Sequence, residues 1–260
     1  MRIAVFVCLA LAGCAYLLGV WLRWRRPAPD QHSGSGWAMW PGLALLTVAC
    51  LLGLAEPGHG DFAWAVLGTW AALCGIHFVA GWLHRPSLAL LTLPAAGLAV
   101  LLALGSLAGS DHGAQMAPGH WTGRLHVLAM ALHLGASLLA GAAGGLWLVA
   151  RRQLKTPGPR ALALPSLPVL ERLTERTLVV SVGLLAAGLA IGGAALDAAR
   201  GVSLAHPAVA IAGGNLVLML AALALRTTNR IGRRALALAA LHAMALAVLC
   251  ALTIQFLRHA

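Results

Sequence analysis

The sequence predicts an all-α fold, a polytopic transmembrane bundle of eight helices with both termini outside. Three observations carry this: eight long apolar stretches, a clustering of basic residues in alternate gaps between them, and tryptophans near the stretch ends. A hydrocarbon core about 30 Å thick needs roughly 20 apolar residues of helix. Stretches of that order run Ile3–Leu22, Trp37–Ala55, Phe62–Leu83, Ser87–Ala108, Leu125–Ala150, Leu178–Ala198, Pro207–Leu225 and Ala235–Leu257. None contains Lys, Arg or Glu, and only Asp197 intrudes, near one end.

Fourteen of the eighteen Lys and Arg residues lie in alternate gaps. These gaps hold Arg23, Arg25 and Arg26, then Arg85, then Arg151 through Arg176, then Arg226, Arg230, Arg233 and Arg234, against Arg2, Arg124, Arg200 and Arg258 on the other side. The positive-inside rule puts the richer set in the cytosol and both termini outside. Trp21, Trp24, Trp37, Trp40, Trp82 and Trp147 fall near predicted inner ends, with Trp64 and Trp121 near outer ones, as in an interfacial belt. Trp70 is deeper than a belt residue.

The chain reads as one integral membrane domain, residues 1–260. A net charge of +11 invites a nucleic-acid reading, but the basic residues adjoin spans and make no separate basic domain, which argues against that class. Leu11-Ala12-Gly13-Cys14 matches a lipoprotein-type cleavage box. The apolar run nevertheless continues into Arg23, Arg25 and Arg26, whereas a signal peptide carries its charge first, so the first span is expected to be uncleaved. Cys8, Cys14, Cys50, Cys74 and Cys250 all fall within spans without a C-x-x-C pair, and read as buried structural thiols.

The outer connections Glu56–Asp61, Gly109–Gly123 and Ala199–His206 are short, which places any chemistry in the membrane or at its surface. The longest inner connection, Arg151–Arg176, passes Pro157, Pro159, Pro165 and Pro168 and then turns helical. Leu167, Leu170 and Leu173 share a face there, with Glu171, Arg172, Glu175 and Arg176 on a charged side. That pattern suits either a short helix on the inner surface or a lead-in to the sixth span. Gly141 with Gly145, and Gly188 with Gly192, have the four-residue spacing that lets helices approach closely.

Eleven histidines against seven acidic residues are unusual for such a chain. His59, His112, His120, His206 and His259 are predicted outside, His126 near the outer end of the fifth span, and His32 and His84 inside. His77, His133 and His242 lie within the membrane, where an ionisable ring needs a partner and is a functional candidate. His77 and His242 each sit roughly 10 Å from the inner surface, at a depth that permits a pair. His126 and His133 lie two turns apart on one helical face, where they could line a path inward. A bond from each ring to a carbonyl of a neighbouring helix is the plainer alternative.

Imidazoles ligate haem iron as well as zinc and copper. Against zinc, there is no H-E-x-x-H, no Cys/His cluster and no acidic ligand beside a histidine within a span. Against ion-coupled transport, the interior lacks the Asp or Glu usually required.

From His126 to the C-terminus the chain resembles the cytochrome c assembly family, in its CcsA-related, YpjD or HemX-like inner-membrane branch. The resemblance rests on Leu125-His126-Val127, on Leu146-Trp147-Leu148 with Arg151-Arg152-Gln153-Leu154-Lys155, and on the run from Leu164-Pro165 to Leu170-Glu171-Arg172-Leu173. It continues through Gly183-Leu184-Leu185 and Gly188, His206, and Gly232-Arg233-Arg234-Ala235.

The resemblance implies a multi-pass protein of the bacterial inner (plasma) membrane that handles haem or assists cytochrome c maturation, without catalysis of its own. It implies haem b held near the outer face by His126 and His206, with His77, His133 and His242 as weaker candidates, and other maturation or membrane proteins as partners beside membrane lipid. Haem-delivering members carry a tryptophan-rich segment that Gly192–His206 lacks, and Thr227, Thr228 and Asn229 stand where the branch tends to carry His or aromatic residues. Two alternatives therefore stay open: a cofactor-free regulatory or scaffolding subunit, and a small-molecule or metal transporter using Asn215, His133, His77 and His242.

Overall fold

A computed structural model describes residues 2–25, 35–55, 121–155, 164–199 and 207–257, together with Val66, Leu67, Thr69, Trp70, Ala71, Leu73, Cys74, Gly75, His77, Thr92 and Gly97. The described elements are all helical: α1 (Arg2–Arg25), α2 (Ser35–Ala55), α3 (Trp121–Lys155), α4 (Leu167–Ala199), α5 (Pro207–Thr227) and α6 (Arg233–Leu257). Within them, α3 to α6 each contain a segment long and apolar enough to cross a membrane. The expected spans at Phe62–Leu83 and Ser87–Ala108 lie largely outside the described residues.

The most apolar window of α3 is 67% buried against 22–33% in α4, α5 and α6, so α3 is the central helix. On one side Leu134, Leu138, Ala142 and Ala143 of α3 join Val5, Leu9, Ala12 and Tyr16 of α1 and Leu46 and Ala49 of α2 in a single core. On the other side Ala140 of α3 packs with Leu178 and Leu185 of α4, Met219 of α5 and Ala240 and Ala243 of α6.

Missing side chains set how closely the helices approach. A Cβ on Gly144 would lie 2.8 Å from the Ala237 carbonyl oxygen, and one on Gly141 would lie 2.5 Å from Cβ of Met244. Gly145, the expected partner of Gly141, is looser, its nearest neighbour being Leu241 at 3.5 Å. The α3–α6 contact therefore runs through Gly141 and Gly144, a three-residue spacing. Gly188 and Gly192 do both face α3, against Met130 and His126.

The alternative of a separate surface helix ending near Arg176 does not hold. Leu167–Ala199 is one continuous helix of 33 residues, capped at its start by the Ser166 carbonyl, which accepts from the Val169 and Leu170 amides. Pro168 falls in the first turn, where its missing N–H breaks no helical bond. Nor is Glu171 on an outward charged side. It is 10% exposed, and one oxygen accepts from Arg226 Nη2 at 2.6 Å and is ion-paired with Arg233, whose Nε stands 3.0 Å away. One carboxylate thus ties the start of α4 to the end of α5 and the start of α6.

Between α5 and α6 the chain reverses tightly. Asn229 takes φ 54°, the left-handed region that Asn tolerates better than most side chains. The Arg230 amide donates to the Leu225 carbonyl and the Asn229 amide to the Arg226 carbonyl, the crossed pair of a Schellman cap.

Two smaller expectations are also corrected. Trp147 is 5% exposed with Arg151 above its ring, so it is an interior residue and not part of a lipid-facing belt. Cys14 is exposed, whereas Cys50 and Cys250 are buried as expected.

Candidate functional site

The α3–α4 interface holds two histidine bonds that repeat. His126 Nδ1 donates to the Gly188 carbonyl oxygen at 2.6 Å, and His133 Nδ1 donates to the Ser181 carbonyl oxygen at 3.0 Å. The histidines are seven apart on α3 and the carbonyls seven apart on α4, as an antiparallel pair with a common face requires. Two turns of helix separate the two bonds by about 10 Å.

A carbonyl only accepts, so each bond fixes the proton on Nδ1 and leaves the lone pair on Nε2. The plainer expectation, a bond to a neighbouring helix, is what both rings show. Because imidazole has two nitrogens, that bond does not use up the ring; it orients it, as the outer hydrogen bond of a metal-ligating histidine does.

The two surroundings differ. His126 is half-buried, and its ring lies in the space left by Gly192, where an added Cβ would stand 2.7 Å from Cε1 and Nδ1. It is near the end of the bundle opposite the Glu171 carboxylate. His133 is 3% exposed. Its Nδ1 also meets Ser181 Oγ at 2.9 Å, and Ser181 Oγ meets Ser137 Oγ at 2.8 Å and Met219 Sδ at 3.5 Å. This buried polar knot joins α3, α4 and α5 and was not legible from the histidine spacing, although Ser137 lies one turn beyond His133.

The remaining candidates stand apart. His77 Nε2 bonds the Tyr16 hydroxyl at 3.1 Å, and its ring stacks on Trp40 with centroids 5.5 Å apart. His242 is exposed and donates from Nδ1 to the Leu238 carbonyl of its own helix at 2.8 Å. The expected pairing of His77 with His242 is not formed: depth was shared, direction was not. Asn215 is buried and donates to the Ala243 carbonyl at 3.3 Å, while its Oδ1 has no partner among the described residues. Trp70, deeper than a belt residue, donates from Nε1 to Thr47 Oγ1 at 2.8 Å.

His206 lies outside the described residues; its sequence neighbour Pro207 opens α5. Among the described residues no group of three or more His, Cys, Asp or Glu side chains could hold a metal ion, which is a larger set than the two axial ligands a haem needs. Comparison with protein-family models, curated proteins and solved structures finds no match to this chain.

Proposed function

We propose that this multi-span helical protein handles haem, as a cytochrome c maturation accessory of the CcsA-related, YpjD or HemX-like type in the bacterial inner membrane. His126 and His206 would hold haem b near the outer face. The observation that supports this reading is the His126 Nδ1 bond to Gly188, which leaves Nε2 as the ring's acceptor nitrogen at the end of the bundle where α5 begins, His206 being the next residue back in sequence.

The donor chemistry fits the group. Neutral imidazole presenting Nε2, with Nδ1–H held by a backbone carbonyl, is the form that ligates iron. Gly192 gives the ring its place against α4, and the Gly188 carbonyl sets its orientation. Bound haem would supply the porphyrin iron as cargo for a partner; this chain would bind and orient it and carry out no bond-making step itself.

The test is the absorption spectrum of the purified protein, oxidised and reduced. A Soret band that weakens in both His126→Ala and His206→Ala is the expected result. A colourless, folded preparation from haem-replete cells would overturn the reading.

A cofactor-free scaffolding subunit is the second reading. It is favoured by the basic end of the bundle, where Arg172, Arg176, Arg230 and Arg234 are exposed. Co-purification of a membrane partner that is lost when the exposed Arg172, Arg176, Arg230 and Arg234 are changed together to Gln would support it.

A further inference from the structure

We propose that the side of α4 turned away from the bundle, at the basic end, is a binding site for an anionic phospholipid. The site is an open surface groove of about 630 Å³, its described wall being Arg172, Glu175, Arg176, Val179 and Val180. The order of its lining residues identifies the occupant. Along one helix face the wall passes within roughly two turns from two guanidinium groups to two valines, all four of these side chains exposed. A lipid has the same profile, a charged phosphate joined directly to an acyl chain.

The charge arithmetic supports an anion. At this end α3 to α6 and the turn joining α5 to α6 place Arg151, Arg152, Lys155, Arg172, Arg176, Arg226, Arg230, Arg233 and Arg234 against Glu171 and Glu175, nine positive groups and two negative. The nearest acid to Arg172 in sequence, Glu171, is already bonded to Arg226 and Arg233. Its carboxylate therefore faces the bundle while Arg172 and Arg176 face out. A paired set of arginines suits a phosphate, which accepts several N–H groups at once.

Glu175 on the same wall would repel a bare phosphate but can accept from a headgroup hydroxyl. That favours phosphatidylglycerol, whose headgroup carries hydroxyls, over phosphatidic acid, which has no headgroup beyond the phosphate. The valines lie on the membrane side of the arginines, at the depth an acyl chain occupies once the phosphate is level with Arg172 and Arg176. This site is independent of haem, since His126 is at the other end of α4's contact with α3.

Native mass spectrometry of the full-length protein in neutral detergent, titrated with phosphatidylglycerol, phosphatidylcholine or glycerol phosphate, tests the assignment. Retained phosphatidylglycerol, with phosphatidylcholine and glycerol phosphate lost at the same concentration, is expected. A juxtamembrane Arg contributes roughly fivefold in affinity, so Arg172→Gln with Arg176→Gln should weaken binding by about 25-fold. Glu175→Gln should reduce the preference for phosphatidylglycerol over phosphatidic acid. Arg230→Gln with Arg234→Gln, equal in charge but off the groove, should change binding less than threefold. Equal losses from both arginine pairs would mean diffuse surface attraction and overturn the site. So would unchanged lipid binding in the Arg172/Arg176 variant, the result expected if a protein partner occupied the groove.

Discussion

His126 and Gly188 are joined by a 2.6 Å bond from imidazole Nδ1 to a main-chain oxygen that also sits within α4. The carbonyl has a second lone pair for this purpose, so the ring is held without cost to the helix. The same bond recurs two turns away between His133 and Ser181, and together they make α3 and α4 a registered pair.

Gly192→Ala tests whether the register positions a ligand. The new methyl would stand 2.7 Å from the His126 ring, and displacing the ring stretches its bond to Gly188. Loss of that bond should cost about 1 kcal/mol and reduce the haem signal severalfold without removing a ligand. Gly193→Ala, which meets nothing within 4 Å, should leave both thermal stability and the spectrum unchanged.

Gly144→Ala should be strongly damaging, as should Gly141→Ala, whose methyl would stand 2.5 Å from Met244 Cβ. The Gly144→Ala methyl would meet the Ala237 backbone oxygen at 2.8 Å, and backbone cannot rotate aside as a side chain can. Overpacking of this kind costs about 1–3 kcal/mol, read as a lowered unfolding midpoint in detergent. Gly145→Ala, with its nearest contact at 3.5 Å, should be close to neutral.

Removing the Glu171 carboxylate leaves two arginines facing each other. Glu171→Ala is expected to destabilise by about 1–3 kcal/mol, between an exposed pair and a buried one. Arg226→Ala should cost more than Arg233→Ala, because Arg226 is 22% exposed and Arg233 60%. Chemical unfolding of the three variants gives the ranking.

Ser181→Ala keeps the carbonyl that His133 uses but removes the hydroxyl shared with His133, Ser137 and Met219. Interhelical bonds in membrane proteins average about 0.6 kcal/mol, with a maximum near 1.7. Ser181→Ala should therefore cost about 1 kcal/mol, and His133→Ala more, since it also leaves a cavity. If Ser181→Ala were the worse of the two, the hydroxyl and not the carbonyl would be the main anchor.

Where the described helices lie was legible because the length of an apolar run is a property of the sequence. The predicted span Pro207–Leu225 and the helix Pro207–Thr227 differ by two residues at one end. What the sequence could not show was rotation. His242 was placed at the right depth for partnership with His77, yet it faces away from the bundle. Gly145 had the expected spacing, yet Gly144 meets the partner backbone. Glu171 was grouped with Arg172, and one residue of helix, about 100° of turn, was enough to turn one toward the bundle and the other away from it. For His126 the sequence indicated a polar ring near a helix end; the Gly188 carbonyl that orients it lies 62 residues away.

The Glu171 bridge also gives the molecule a history. As the chain emerges from the ribosome, α4 enters the bilayer with a carboxylate at its edge, and neither cation that answers it has yet been made. Only when Arg226 and then Arg233 follow does the later hairpin lock onto the earlier one. A product shortened before α5 would carry this carboxylate without the two guanidinium partners it has in the folded bundle.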